Sequence, residues 1–132
     1  MASDTPEIDN PAAHAEVTEA FARYEVALMA NDVAALTVLF HDDPRTLRYG
    51  IAENLYGSAE IAGFRQARSP AGLARRLSRT LITTYGREFA VASTLFTRDT
   101  LPGKVGRQMQ SWVRFPSGWR IVAAHVSVID AP

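Results

Sequence analysis

The chain has 132 residues with 47% hydrophobic and 21% charged side chains, a formal net charge of zero and no cysteine. That is enough for one domain with one core, expected over residues 1–132 with 1–9 as a flexible tail. It excludes disulfides, thiolate nucleophiles and cysteine-bound metal, and no apolar run approaches the ~18 residues that a membrane span needs.

The neutral total hides an asymmetry. Up to Glu60 eleven acids stand against three arginines, and beyond it three acids stand against eleven bases, all but one of them arginine. Either an acidic helical half packs on a basic sheet or on a second subunit, or the arginines build a pocket for small anions. A nucleic-acid surface is not expected from a neutral chain without a lysine-rich stripe. The first ten residues lack the basic start and apolar centre of a secretory signal, so a cytoplasmic protein is expected.

Asn10-Pro11 signals a helix start, a capping side chain followed by proline in the first turn. After it Val17, Phe21, Tyr24 and Leu28 recur at spacings of four, three and four and make one apolar stripe. Glu16, Glu19, Arg23 and Glu25 are expected largely off that stripe. Asn31-Asp32 breaks this helix and caps a second, shorter one that turns Val33, Leu36, Leu39 and Phe40 inward. His41-Asp42-Asp43-Pro44 ends the helical half, because a residue before proline is pushed out of the helical region. Ligands crowded on one turn rarely converge on one ion, so this is expected to be a capped, solvated turn, and no metal is predicted.

Residues 46–57 read as a short β-hairpin, with Arg48 pointing away from the face shared by Leu47, Tyr49 and Ile51. A charge placed mid-strand among apolar neighbours is costly to bury without a partner, which makes Arg48 the centre of a candidate site. It is either a structural arginine paired with Glu25, Glu53 or another acid of the first helix, or a fork for a carboxylate. Gly57-Ser58 opens a third helix, with Ile61 and Phe64 expected inward and Arg65 and Arg68 outward or along a rim. Whether Arg68 or Arg75 reaches the site stays open. From there the pattern changes to period two, and strands are expected at 75–86, 88–98, 104–115 and 119–129 in an antiparallel meander. Long twisted strands with helices on one face leave a gap at one end, the expected pocket.

Tyr24 lies in the buried stripe, so its hydroxyl either finds an internal partner or reaches that cavity. Gln110 and Trp112 share a strand face with Gln108 and Arg114 and suit a small pocket or a dimer surface equally. On the last strand, period two places Trp119, Ile121, Ala123, His125 and Ser127 on one side. His125 facing a cavity would serve as acid, base or donor near neutral pH; facing elsewhere it is a satisfied structural group. No nucleophile-elbow spacing and no strand-to-helix phosphate loop is present.

The order of two helices, hairpin, third helix and bent sheet resembles the α+β, cone-shaped nuclear transport factor 2-like (cystatin-like) fold of ketosteroid isomerases and SnoaL-like proteins. The segments Phe21-Ala-Arg-Tyr24-Glu25, Asp43-Pro-Arg-Thr-Leu-Arg48-Tyr49-Gly50, Glu53-Asn-Leu-Tyr-Gly57, Thr83-Thr-Tyr-Gly86, Gly106-Arg-Gln-Met-Gln110-Ser-Trp112 and Gly118-Trp-Arg-Ile-Val-Ala-Ala-His125-Val-Ser127 closely resemble the family of the oxalurate-catabolism protein HpxZ and its AtzH-like relatives. The resemblance runs from about residue 8 to 128. It implies a small cytoplasmic homodimer working beside amidase-signature hydrolases in ureide or triazine nitrogen catabolism. The implied reaction is decarboxylation of 1,3-dicarboxyurea to allophanate, or a step on a related ureido acid. It places Tyr24 and Arg48 in the catalytic role and needs no cofactor, while the strand faces offer Gln110, Trp112, His125 and Ser127 as candidates to bind substrate. A non-catalytic partner of a hydrolase stays open, as does a steroid-type isomerase whose base would be Asp42 or Asp43.

Overall fold

The computed structural model describes residues 5–132, and its elements follow the pattern read from the chain. They are α1 (Pro11–Ala30), α2 (Val33–Leu39), β1 (Leu47–Tyr49), β2 (Asn54–Tyr56), α3 (Ser58–Ala67), β3 (Arg76–Tyr85), β4 (Phe89–Thr97), β5 (Lys104–Phe115) and β6 (Gly118–Asp130). The caps explain the boundaries. Asn10 Oδ1 accepts from the Ala13 amide at the start of α1, and Asp32 Oδ1 accepts from Ala35 at the start of α2. Asn31, between them, takes the left-handed conformation that ends α1. Its side-chain amide donates to the carbonyls of Arg65 and Arg68, tying the end of α1 to the end of α3.

The three helices cover one face of a six-stranded sheet in the order β2-β1-β6-β5-β4-β3. The sheet is antiparallel except where β1 runs parallel to β6, so the hairpin extends the meander instead of standing apart from it. Between the layers, Val17, Phe21 and Leu28 of α1 and Leu36 and Leu39 of α2 close on Ala90, Ala92, Trp112 and Ile121. The small alanines on β4 leave space for the large side chains opposite.

Two departures from strict period two bend the sheet. In β3 the pairing with β4 shifts between Ser78 and Leu81. In β6, Ser111 pairs with Ala123 but Trp112 pairs with Ile121, leaving Val122 as an extra residue. Before this bulge Trp119 and Ile121 face the helices; after it Ala124 and Val126 do. The expected single face running from Trp119 to Ser127 is therefore split, and His125 and Ser127 point to the other side of the sheet. Residues 7–9, expected in the flexible tail, are held against the end of β3, where the Asp9 amide donates to Thr84 and the Gly86 amide donates to Glu7. Residues 1–4 of that tail lie outside the described residues.

Candidate functional site

Where α1 and α3 end and the hairpin turns, the space between helices and sheet is not filled. A cavity of about 270 Å³ remains, lined by Tyr24 and Leu28 of α1, Arg48, Ile51 and Glu53 of the hairpin, Phe64, Ala67 and Arg68 of α3 and its end, and Arg75, Arg98, Gln108 and Val126 from the sheet. This is room for a small acid.

Arg48 is buried, and its Nη1 donates to Glu53 Oε1 at 2.7 Å. Gly50 leaves room for the Glu53 carboxylate in this position, since a Cβ there would lie 1.7 Å from Glu53 Oε1 and the side chain would have to move aside. Arg48 Nε is buried without a partner. Arg65 is also buried, against the expectation of an outward or rim position. It follows Ile61 by one helical turn, and its Nη2 donates to the Tyr24 hydroxyl at 3.3 Å while Nε and Nη1 have no partner. Arg75 forks the carboxylate of Glu25 through Nε and Nη2 and also donates to Gln108 Oε1 at 2.9 Å. Glu25, expected off the buried stripe, lies on it, four residues after Phe21 and three before Leu28.

Two phenylalanine rings hold the guanidiniums in place. Arg48 and Arg68 lie over Phe64, each 5.4 Å from its centre, and Arg75 and Arg98 lie over Phe96 at 4.5 and 5.0 Å. The Phe96 ring is admitted by Gly106 on the adjacent strand, where any Cβ would meet the ring at about 2 Å. Thus four guanidiniums, of Arg48, Arg68, Arg75 and Arg98, line the cavity and that of Arg65 bonds Tyr24 at its edge, and among the described residues only the carboxylates of Glu25 and Glu53 pair with those that line it.

This excess of positive charge acts on its neighbours. Burial disfavours ionisation of the Tyr24 phenol, but Arg65, Arg48 and Arg75 together outweigh burial and Glu25, and the phenol is more acidic than an ordinary tyrosine. Burial, and then repulsion from Arg75 and Arg68, pushes Arg98 down to about 10. Arg65 and Arg68 are lowered as well, by burial first and by the charge on Arg48.

Of the expected site residues, Tyr24 and Arg48 meet at this cavity. Gln110 and Trp112 do not line it: both are fully buried deeper in the core, where Trp112 Nε1 donates to Gln110 Oε1 at 3.0 Å. His125 and Ser127 are on the opposite face of the sheet because of the bulge at Val122. There His125 is exposed with its ring edge-on to Tyr49 at 5.8 Å, and Ser127 Oγ accepts from Arg107 Nε. Ile51 also differs from expectation, because β1 ends at Tyr49 and the turn carries Ile51 over the cavity that Arg48 enters.

Arg75 and Arg68 both reach the site, and Arg98 joins them without having been singled out from the chain. The signal was there: Ala90, Ala92, Thr94 and Phe96 alternate inward along β4, and Arg98 is the next in that series. The charge asymmetry of the two halves serves both readings at once, since Arg75–Glu25 and Arg114–Glu16 join sheet to α1 while the surplus arginines gather at the cavity.

A larger hollow of about 490 Å³ opens between α2, α3 and the start of β6. Most of its polar groups are already engaged: Ser58 donates to Asp42, His41 stacks on Phe115 at 4.1 Å, and Arg120 donates to the carbonyls of Ser117 and Trp119, while Arg65, which also lines it, keeps Nε and Nη1 without a partner. Asp43 is forked by Arg45, which holds its carboxyl well below the usual range. Neither Asp42 nor Asp43 lines the arginine cavity, so no isomerase base is supplied from that turn. Among the described residues no group of three or more metal-ligating side chains gathers, and no helix is long and apolar enough to cross a membrane.

The family described as AtzH-like matches residues 6–132. A protein of unknown function from Pectobacterium atrosepticum, of the DUF3225 family, is 56% identical over 98% of this chain and 99% of its own, with a TM-score of 0.91. A cystatin-like fold protein from Burkholderia xenovorans is 47% identical over 96% of this chain and 99% of its own, at 0.92. A nuclear transport factor 2-like superfamily protein from Salmonella enterica serovar Typhimurium is 26% identical over 92% of each chain, at 0.70. No curated protein matches the chain.

Proposed function

The chain belongs to the AtzH-like family of the nuclear transport factor 2-like fold, and from that premise we propose that it decarboxylates an N-carboxylated urea, 1,3-dicarboxyurea to allophanate or a closely related ureido acid. The observation that carries this reading is the surplus of buried guanidinium N–H groups around a small cavity, with Tyr24 among them. A buried cation without a counter-ion is costly, and a small polyanion supplies what is missing.

Arg48 holds the reacting carboxylate through donors that Glu53 leaves open. When the N–C bond breaks, carbon dioxide leaves and the electron pair stays on nitrogen. That nitrogen takes the proton of Tyr24, whose phenol is made more acidic by its arginine neighbours, and water restores the proton to Tyr24. Leu28, Ile51, Phe64, Ala67 and Val126 form apolar walls that limit water around the charge being discharged. No step needs a cofactor. A cytoplasmic homodimer, and an amidase-signature hydrolase as the neighbouring enzyme or as a partner, belong to the same reading. Sedimentation tests the first and a pull-down against purified amidase tests the second.

The deciding experiment is carbon dioxide release from freshly supplied 1,3-dicarboxyurea. Arg48→Ala and Tyr24→Phe are each expected to slow it by about 100-fold. Variants as fast as the parent would overturn the assignment of roles. Acid binding without any release would leave the chain as a non-catalytic binding partner.

A further inference from the structure

The two aromatic rings at the cavity each carry one arginine that is neutralised and one that is not. Over Phe64, Arg48 is paired with Glu53 while Arg68 has no acid within bonding reach among the described residues; over Phe96, Arg75 is paired with Glu25 while Arg98 has none among them. Arg98 makes no side-chain hydrogen bond among the described residues, and its Nε is buried. Leaving such a donor unpaired has no structural return, because a guanidinium that only fills space is better replaced by an apolar side chain. Burial and the nearby charges of Arg75 and Arg68 lower its pKa, so its charge is left uncompensated by its neighbours.

Arg98 also stands on the opposite wall from Arg48. Strands β6 and β5 lie between β1, which carries Arg48, and β4, which Arg98 follows, and both side chains line the same cavity of about 270 Å³. A short molecule with an anionic group at each end can therefore meet both guanidiniums inside it.

We propose that Arg98, with Arg68 beside it, is the specificity-determining residue that takes the second, non-reacting anionic group of a dicarboxylate ligand, opposite the group held at Arg48. This rests on the cavity being an acid-binding site as proposed above. Arg98 lies outside the bond-breaking chemistry: it selects a dianion over a monoanion of the same size and fixes which end lies beside Tyr24.

The test is titration calorimetry of the full chain with malonate and with malonamate, in which one carboxylate is replaced by an amide of the same shape. The parent protein binds malonate more tightly. Arg98→Gln weakens malonate by about 10- to 100-fold and malonamate by no more than about two-fold, and Arg98→Lys recovers part of the loss. Unliganded Arg98→Gln unfolds at the parent temperature or above, since removing one of several like charges relieves repulsion. A parent protein that binds both ligands equally, or an Arg98→Gln variant that weakens both alike or neither, overturns the proposal. The proposed reaction is read separately. Arg98-dependent malonate selectivity without carbon dioxide release removes the reaction and leaves this site. Release of carbon dioxide with selectivity intact in Arg98→Gln removes this site and leaves the reaction.

Discussion

The space between helices and sheet has two ends that are built in opposite ways. Toward Trp112, Trp119, Phe21 and Ile121 it is filled with apolar side chains, and the buried polar groups Gln110 and Trp112 bond to each other. Toward Tyr24 and Arg48 it holds guanidiniums, two carboxylates and open volume. The same layers produce both, so the difference lies in what the side chains do. One end gains from excluding water and closing up; the other keeps charges in place that the described residues do not fully neutralise, which lowers stability and is what the proposed anion site calls for.

Substitutions at the two ends should therefore separate stability from binding. The largest effect is expected at the packed end. Trp112→Ala leaves a void and an unpaired Gln110, and is expected to cost about 3–5 kcal/mol, lowering the thermal midpoint by on the order of 10–20 °C. Malonate should still bind the folded fraction, and a loss of binding as large as the loss of stability would mean that the two ends are not separate.

Next comes the buried pair that anchors the charged end. Glu25→Gln strands Arg75 and is expected to cost about 3 kcal/mol, at the low end for breaking a buried pair because the cavity admits water. Urea unfolding with an unchanged slope checks this.

The third effect is on turnover. Tyr24 donates in its neutral form, and because its acidity is raised the neutral form is lost as pH rises at a pH below the ordinary tyrosine value of about 10. The rate of carbon dioxide release should therefore fall along an alkaline limb that begins below that pH, and Tyr24→Phe should be slow and lack the limb. A limb that persists in Tyr24→Phe assigns it to another group.

The smallest effect is at the hairpin. Glu53 partly neutralises Arg48 beside the donors assigned to a ligand carboxylate, so its charge repels that ligand. Glu53→Gln is expected to tighten malonate binding by roughly three- to ten-fold while changing stability by about 1 kcal/mol or less. Weaker binding would show that Glu53 orients Arg48 and does not compete with the ligand.

How far the chain could be read follows from how local each feature is. The caps at Asn10 and Asp32 and the stop at Asn31 are decided within a few residues, and they stand where the pattern placed them. Arg48 was legible as a buried charge in need of a partner because its conflict is local, a charge inside an apolar strand. Glu25 and Arg65 were misplaced because a buried helix stripe is wider than its apolar members: each lies one position beyond an expected inward residue, and each is buried only because an opposite charge or a phenol meets it across the fold. His125 and Ser127 were misplaced by the single extra residue at Val122, since one residue inserted into a strand turns everything after it to the other face.

The amino-acid sequence by itself determined the element order, the helix ends, the α+β class and the focus on Tyr24 and Arg48, because propensity, capping and periodicity act over short stretches of chain. Only the tertiary structure decided which arginines share the cavity and which are neutralised. Arg48, Arg68, Arg75 and Arg98 come from separate stretches, and their meeting depends on long-range strand pairing, on the bulge in β6 and on the close approach of Phe96 to Gly106. Coulomb interactions depend on distance in space, so a charge cluster assembled from remote segments has no signature in residue spacing.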